Sequence, residues 1–518
     1  MRVVYPREMS ALDRAAIEGG IPSLELMESA GRAVADNAMD MLNVCTGKNI
    51  AVVVGKGNNG GDGFAAARYL SSWGASVKAY LLAGPEELSP DTGVNYERFA
   101  REGGETILGE HDAAGLAASD LIIDAIFGTG FKGGAEGRLA AAIEAINHSE
   151  APVLAVDIPS GVDGETGAVI GPAVEARRTV TFAFPKTGLY LHPGAAYVGE
   201  LRLAEIGIPS ELQDRIVKSD IRTIEEEEVA RLIPKRRPDF HKGMAGRVLV
   251  VAGSRGLTGA ASLASRAALR AGAGVVTLGI AEGLSAIMEV KLTEVMKLSL
   301  PDYGGKCLGE GAAQRVLEAL ADYDVLALGP GLGTAPATCR VVWDLLEKAE
   351  KTIVLDADGL NCAAQRPECL ENRGYPTIIT PHPGELGRLL GKSAREIQAA
   401  RMESALQAAT KFNCVVVLKG ANTVICDAAG SVLINALALP SLATAGTGDV
   451  LTGCIAALAA QALPPLEAAL CGVYIHGNAA VISSHIIGPV GMIAGDIVSH
   501  LPLAVSGLLK ESEGGWMF

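Results

Sequence analysis

The 518-residue chain has a formal net charge of −15, 49% hydrophobic residues, only 4% aromatics, and 63 glycines. That acidity argues against nonspecific binding to nucleic acid or to an anionic membrane, both of which need basic surface. A chain rich in Ala, Val, Leu and Gly suits helices packed closely on parallel sheets, and its length fits two α/β domains of about 220 to 290 residues.

Met1 to Arg14 mixes charges of both signs without a long apolar core, so no signal peptide is expected. The longest apolar stretches are broken by Gly, Thr and polar residues, which predicts no transmembrane span and, by default, a cytoplasmic protein. Helical spacing of Leu12, Ala15 and Ala16 predicts a short helix over 10–18, broken by Gly19-Gly20-Ile21-Pro22. A second helix starts at Ser23, read as its cap, with Leu24, Met27, Ala30, Gly31 and Val34 on one face. β-Branched runs follow at 50–54, 77–82, 121–127, 153–156 and 179–184, separated by amphipathic stretches such as 64–73 and 138–147. Apolar strands alternating with helices predict a mainly parallel sheet covered on both faces.

The four acids 225–228 and the run Pro234 to Lys242, with two prolines and clustered charge, read as an exposed connector. A domain boundary is expected between 225 and 235. Strands then resume at 247–251, 275–280, 325–328, 353–355, 377–379 and 415–418. A hairpin is predicted to join 423–426 to 432–434 through Ala429-Gly430, ahead of long helices over 449–462 and 466–484. The nine cysteines form no Cys-x-x-Cys, and several, such as Cys414 and Cys454, sit in apolar runs. They read as reduced, buried small hydrophobes, not as a disulfide framework or a zinc site.

The first strand runs into Gly55-Lys-Gly57-Asn58-Asn59-Gly60-Gly61-Asp62-Gly63 and then a helix. Glycines there let an anion approach backbone N–H groups at a helix start. A dehydrogenase fingerprint would also put an acid at the end of the next strand, but that strand ends Ala79-Tyr80-Leu81-Leu82, so a plain dehydrogenase is disfavoured. Two more strand ends carry polar groups, Asp124 to Gly130 and Asp157 to Gly161. Ligands sit at the carboxyl ends of strands in such sheets, so these loops are expected to converge. Asn59, Asp124 and Ser160 offer oxygen only, which suits a hard cation over zinc.

In the second half, Thr444-Ala-Gly446-Thr-Gly448-Asp449 opens a long helix. Curled N–H groups and the helix dipole there would stabilise a transferring phosphoryl group, and Asp449 is placed to take a proton from an attacking hydroxyl. Gly-x-Gly-Asp at the head of a late helix points to ribokinase-like phosphotransferases. No Walker-type loop occurs. Loops at Gly253–Ala260, Gly329–Gly333, Asp356–Asn361, Pro381–Glu385 and Lys419–Thr423 follow other strands and are expected to join the same site. A fusion whose C-terminal half phosphorylates a vitamin or sugar alcohol is one rival reading of these motifs, and a first domain that serves as a ligand sensor or scaffold is another.

Taken together and in order, these motifs resemble the bifunctional NAD(P)H-hydrate repair enzymes over nearly the whole chain. The first half matches in GKGNNGGDG, DAIFGTGFKG, VDIPSGVDG and FPKTGL. The second matches in GRVLVVAGS with TGAA, then GPGLG, LDADGLN, TPHPGE, LKGANT and AGTGD. The resemblance implies a Rossmann-like three-layer α/β domain over 1–225 that interconverts the R and S hydrates of NADH and NADPH. It implies a ribokinase-like α/β domain over 226–518 that dehydrates the S hydrate using ADP with Mg2+. Carried over residue by residue, Asn58, Asn59, Gly60, Gly61, Asp62, Gly128, Thr129, Gly130, Phe131, Lys132, Gly133 and Gly134 contact the hydrate, with Asp157 close to the reacting ring. Asn59, Asp124 and Ser160 hold K+. Ala260, Gly333, His382 and Asp449 contact the S hydrate; Lys419, Gly420, Ala421, Asn422, Thr423 and Gly448 bind ADP. Asp157 and Lys186 are alternative acid–base groups for the epimerase. The partners so implied are NADHX, NADPHX and ADP, together with further copies of the chain in a homo-oligomer.

Overall fold

A computed structural model describes residues 1–109, 113–236, 238–239 and 241–513. The chain divides into two compact units, one of Arg2–Ser219 and one of Asp220–Phe518 with Met1.

The first unit is built on seven strands: β1 Asn49–Val54, β2 Ser76–Leu81, β3 Glu105–Leu108, β4 Leu121–Ala125, β5 Val153–Val156, β6 Arg178–Phe182 and β7 Glu200–Ala204. Their order is β3-β2-β1-β4-β5-β6-β7, and every pairing is parallel. Alternate residues of the central strands serve opposite faces. Val52, Val54, Leu121 and Ile123 pack with Phe64, Ala67 and Val34 of helices Asn58–Ser72 and Ser23–Leu42. Ala51, Val53 and Ile122 pack with Ile143 and Ile146 of helix Gly137–His148. Burial on both faces explains why these strands read as continuous apolar runs. Strand order reverses between β1 and β4, which opens a crevice beyond their carboxyl ends.

Three details depart from the sequence reading. Helix Pro6–Glu18 begins four residues earlier than expected, because Pro6 tolerates the first helical position. Ser23 is the first helical residue; the cap position is held by Pro22, with no side-chain cap bond. The edge strands β3 and β7 were not foreseen; their residues are half-buried or exposed and lack the apolar run that marks the centre.

The second unit has a ten-stranded sheet of β8 Ile221–Thr223, β9 Arg247–Val251, β10 Val275–Ala281, β11 Met296–Leu300, β14 Val325–Leu328, β15 Thr352–Leu355, β16 Thr377–Ile379, β17 Val415–Leu418, β18 Val424–Cys426 and β19 Val432–Ile434. Between β11 and β14, Asp302–Tyr303 (β12) and Cys307–Leu308 (β13) form a separate antiparallel pair. The sheet order is β11-β10-β9-β14-β15-β16-β17-β18-β19-β8. Pairings are parallel from β11 to β17 and antiparallel through the β18–β19 hairpin. β8 pairs in parallel with β19, so the division of the chain falls at 219/220, a few residues before the 225 read from the acidic run. The acids themselves cap and begin helix Glu226–Leu232. Lys235 to Met244 is exposed where described; Arg237 and Phe240 of that connector lie outside the described residues. Eight cysteines are buried and Cys307 is half-buried, all of them free. Helix Pro465–Ile487 is long and apolar enough to cross a membrane by length and composition, and 56% of its apolar window is buried within the unit.

Candidate active sites

In the first unit a cavity of about 980 Å³ opens at the reversal of strand order. Its wall includes Asn58, Asn59 and Asp62 from the loop after β1 and the start of helix Asn58–Ser72. Gly128, Thr129, Gly130, Phe131 and Lys132 come from the loop after β4, and Asp157 from the loop after β5. The converging loops expected from the sequence therefore meet. Close approach is what the glycines allow: a Cβ on Gly55 would stand 2.1 Å from the Ile126 carbonyl oxygen, and one on Gly60 would stand 2.1 Å from the Gly55 oxygen. Gly60, Gly61, Gly133 and Gly134 are not in the cavity wall. Gly60 and Gly61 instead pack behind it, Gly61 against Met27.

Asp124 and Ser160 lie beneath the cavity. The Asp124 carboxylate is fully buried and accepts bonds from Ser160 Oγ at 2.6 Å, Ser160 N at 2.8 Å and Ile126 N at 3.2 Å. Ser160 Oγ accepts in turn from Phe127 N at 2.9 Å, and Asn59 Nδ2 donates to Phe127 O at 2.9 Å. The three residues thus brace the same loop. Burial pushes the Asp124 carboxyl up to about 6 against the pull of those hydrogen bonds.

Asp157 has a left-handed backbone, φ +67°, an uncommon setting for a residue with a side chain and one that recurs at functional sites. Its Oδ1 accepts from Lys186 Nζ at 2.5 Å and from Thr181 Oγ1 at 3.1 Å. Lys186 is 1% exposed and also donates to Thr181 Oγ1 and to the Phe182 carbonyl. The two acid–base alternatives of the sequence reading are therefore one ion pair. Asp13, on helix Pro6–Glu18, lines the same cavity and was missed. The signal was present: an acid four residues after Met9 and three before Ala16 falls on the apolar face of that helix. Burial raises Asp13 to about 6, opposed by Lys186 and assisted by Asp157. Asp62 is raised well above the ordinary carboxylate range by burial, Asp157 and Asp13.

In the second unit the five predicted loops also sit at strand ends, and hydrogen bonds tie them together. Ser254 Oγ donates to Gly331 O at 2.8 Å, and Gly333 N donates to Asp358 Oδ2 at 2.8 Å. Ala260 lies against Gly331. Gly333 also lines a cavity of about 470 Å³ with Ser254, Arg255 and Lys306. His382 caps helix Pro383–Leu390: its Nδ1 accepts from Gly384 N at 3.0 Å, while Glu385 Oε2 accepts from His382 N at 2.8 Å. Burial and the Lys419 charge lower the His382 pKa.

Lys419 ends β17. Its ammonium donates to Asp356 Oδ1 at 2.6 Å and lies 3.8 Å from Glu385. Burial works against that ammonium, but Asp356 and Glu385 outweigh it and hold the pKa above its usual value. Asn422 anchors the rest of the loop, donating to the carbonyls of Asn435 and Ala436. Helix Thr447–Ala460 starts after Gly446, whose φ of +92° turns the chain into it. Gly448 faces Lys419 Nζ so closely that a Cβ would stand 3.4 Å from it. Asp449, in the same first turn, is pushed up to about 7 by burial, then by Asp356. Asp356 also accepts from Thr452 Oγ1 at 2.7 Å, which locks the carboxylate that holds Lys419. Asp356 belongs to the LDADGLN motif, where the sequence alone assigns it no role.

Two family models and full-length relatives match the chain. The sequence model of the family described as NAD(P)H-hydrate dehydratase matches residues 248–503, and that of YjeF-related protein N-terminus matches 23–188. The bifunctional NAD(P)H-hydrate repair enzyme of Moorella thermoacetica is 45% identical, over 99% of this chain and 98% of its own. That of Thermofilum pendens is 41% identical over the same shares. An ADP/ATP-dependent NAD(P)H-hydrate dehydratase from Bacillus subtilis, co-crystallised with ATP/Mg2+, is 30% identical with a TM-score of 0.49, covering 56% of this chain and 100% of its own.

Proposed function

The chain belongs to the bifunctional NAD(P)H-hydrate repair enzymes, and on that premise we propose that its first unit exchanges the R and S epimers of NADHX and NADPHX while its second dehydrates the S epimer using ADP. The observation that carries the second activity is Asp449 in the first turn of a helix, beside Gly448 and a clamped Lys419.

Water was added across C5 and C6 of the nicotinamide ring, and hydroxide is a poor leaving group. With the S hydrate against Ala260, Gly333, His382 and Asp449, the Asp449 carboxylate takes the proton of the C6 hydroxyl. The C6 oxygen attacks the β-phosphorus of ADP, and AMP leaves with the bridging oxygen. The ring nitrogen's lone pair then expels phosphate, and loss of a C5 proton restores the double bond, giving NAD(P)H, AMP and phosphate. Lys419 and the helix N–H groups meet the charge on the transferring phosphoryl group, with Gly420, Ala421, Asn422 and Thr423 holding the nucleotide. Mg2+ is expected to accompany ADP; the oxygen donors around Lys419 are the hard kind it takes, and its chemistry there is neutralisation of phosphate charge.

In the first unit the hydrate lies along Asn58, Asn59 and Asp62 and along Gly128 to Lys132, with Asp157 against the reacting ring. Positive charge forms on that ring when C6 loses its oxygen, and the Asp157 carboxylate stabilises it. Asn59, Asp124 and Ser160 fit K+: they offer oxygen donors around a buried carboxylate that no cationic side chain among the described residues accompanies. A bound cation there would balance Asp124 and stiffen the Phe127 loop.

The test is recovery of reduced-nicotinamide absorbance from mixed R and S NADHX with ADP and Mg2+, using wild type and Asp449→Asn. Full recovery by wild type with none by the variant supports both activities. Recovery of the S fraction alone removes the epimerase, and no recovery at all sinks the repair reading in favour of a small-molecule kinase.

A further inference from the structure

Three carboxyl groups and one ammonium meet in the wall of the first unit's cavity: Asp13, Asp62, Asp157 and Lys186. Asp157 and Lys186 neutralise each other. That leaves two acids without a counter-ion, and neither Asp13 nor Asp62 accepts a hydrogen bond from another described side chain or backbone group. Two ionised carboxylates in one recessed cavity repel, so one retains a proton that the other is able to accept. The upward shifts of both groups follow from the same burial and crowding. They come from different elements, Asp13 from helix Pro6–Glu18 and Asp62 from helix Asn58–Ser72. Asp13 also lies outside the stretch matched by the N-terminal family, 23–188, so no motif points to it.

Exchange of epimers at C6 asks for such a pair. A hydroxyl must gain a proton to leave one face, and water must lose a proton to add on the other. We propose that Asp13 and Asp62 are the proton-carrying pair of the epimerase, one protonated and one ionised; this rests on the epimerase reading of the cavity. The protonated carboxyl gives its proton to the C6 hydroxyl, the C6–O bond breaks, and water departs as the N1 lone pair forms the N1=C6 iminium. A water then adds to C6 from the opposite face and yields a proton to the ionised carboxyl. One water leaves and one enters, nothing is oxidised or reduced, and the two carboxyls finish with their protonation states exchanged. The pair is thereby set for the reverse direction, as an isomerase requires. Asp157, fixed by Lys186 and Thr181, borders the cationic ring throughout.

Asp13→Asn and Asp62→Asn in the full chain test this, with R and S NADHX separated by chromatography. Dehydration of pure S-NADHX by the second unit reports in the same tube that the protein is folded. In each variant kcat for exchange is expected to fall roughly 100-fold or more, with KM within about threefold of wild type. Dehydration of the S hydrate stays at the wild-type rate, and Asp13→Glu recovers part of the exchange. The groups whose charges act on Asp13 are Lys186, Asp157 and Asp62; Lys56, Glu87, Asp91, Lys132, Glu136 and Arg138 complete the charged wall. Wild-type exchange should therefore fall on both sides of a pH optimum, with one limb lost in Asp13→Asn. Exchange by Asp13→Asn at the wild-type rate overturns the proposal, as does a defect confined to KM. A wild-type chain that exchanges epimers no faster than buffer sinks the epimerase reading itself, and the proposal with it.

Discussion

Replacing Asp356 by Asn removes one charge from the second site while keeping its shape. Asp356 is 1% exposed and accepts from Lys419 Nζ at 2.6 Å and Thr452 Oγ1 at 2.7 Å. In the variant, Lys419 loses its charged hydrogen-bond partner and keeps Glu385, at 3.8 Å, and the charge of Asp449. A hydrogen bond to a charged group contributes about 1.5–3 kcal/mol, so kcat/KM for ADP should fall roughly 10- to 100-fold. The same carboxylate holds up the Asp449 pKa, second only to burial. Removing one like charge from a buried carboxylate cluster shifts a neighbouring pKa down by on the order of one unit. Asp449, as the proposed base, works ionised, so wild-type kcat/KM for the S hydrate should rise with pH through about 7. In Asp356→Asn that rise moves to lower pH, even though the plateau is lower. Initial rates of NADH formation from S-NADHX across pH measure both effects, with epimer exchange by the first unit as the folding control. A reduced plateau with an unmoved acid limb would refute the coupling to Asp449. An unchanged plateau would refute the clamp on Lys419.

Asp124→Asn should abolish activation of epimer exchange by K+, read by titrating KCl against a tetraalkylammonium salt. In wild type the same titration should weaken as pH falls through about 6, because the cation needs the ionised carboxylate that burial makes harder to form. Arg373→Met should cost about 3 kcal/mol or more, seen as a lower urea midpoint for loss of dehydratase activity. The Arg373 guanidinium is 7% exposed and donates to the carbonyls of Leu346, Ala349 and Lys351, two of them at the end of helix Pro336–Lys348. Methionine fills the space and leaves those carbonyls unpaired.

What the sequence made legible was whatever burial or backbone geometry forces into residue type. β1, β4 and β5 are covered on both faces, so they read as apolar runs. The loops after them need glycine for close approach, so the crevice was visible as Gly55–Gly63 and Gly128–Gly134. The edge strands Glu105–Leu108 and Glu200–Ala204 carry no such constraint and were lost. Pairings between distant residues were equally hidden. Nothing local says that Lys186 reaches Asp157, 29 positions away, or that Asp356 holds Lys419, 63 positions on. Asp13 escaped for a different reason: on an amphipathic helix a single acid among apolar residues resembles an accident of composition until the cavity it faces is known.

The two units differ in what their reactions demand, and their side chains follow the difference. Exchanging R for S breaks and remakes the same kind of bond, so the equilibrium lies near unity and no energy source is needed. A cavity with a proton donor, a proton acceptor and a negative charge for the passing cation suffices. Dehydration must drive loss of the hydroxyl with a phosphoryl donor, and the second unit brings an ammonium, a helix N-terminus and the carboxylate proposed as base to one region. Hydration without an enzyme has no reason to respect the S face, so a dehydratase confined to S would strand the R hydrate. Joining the activities predicts a stoichiometry: one AMP formed per NADH recovered, whether the starting hydrate is pure R, pure S or a mixture. Counting both products by chromatography tests it. More than one AMP per NADH from the R hydrate would mean that exchange itself consumes nucleotide, which the proposed protonation of the leaving hydroxyl by a carboxyl argues against, since that activation needs no phosphoryl donor.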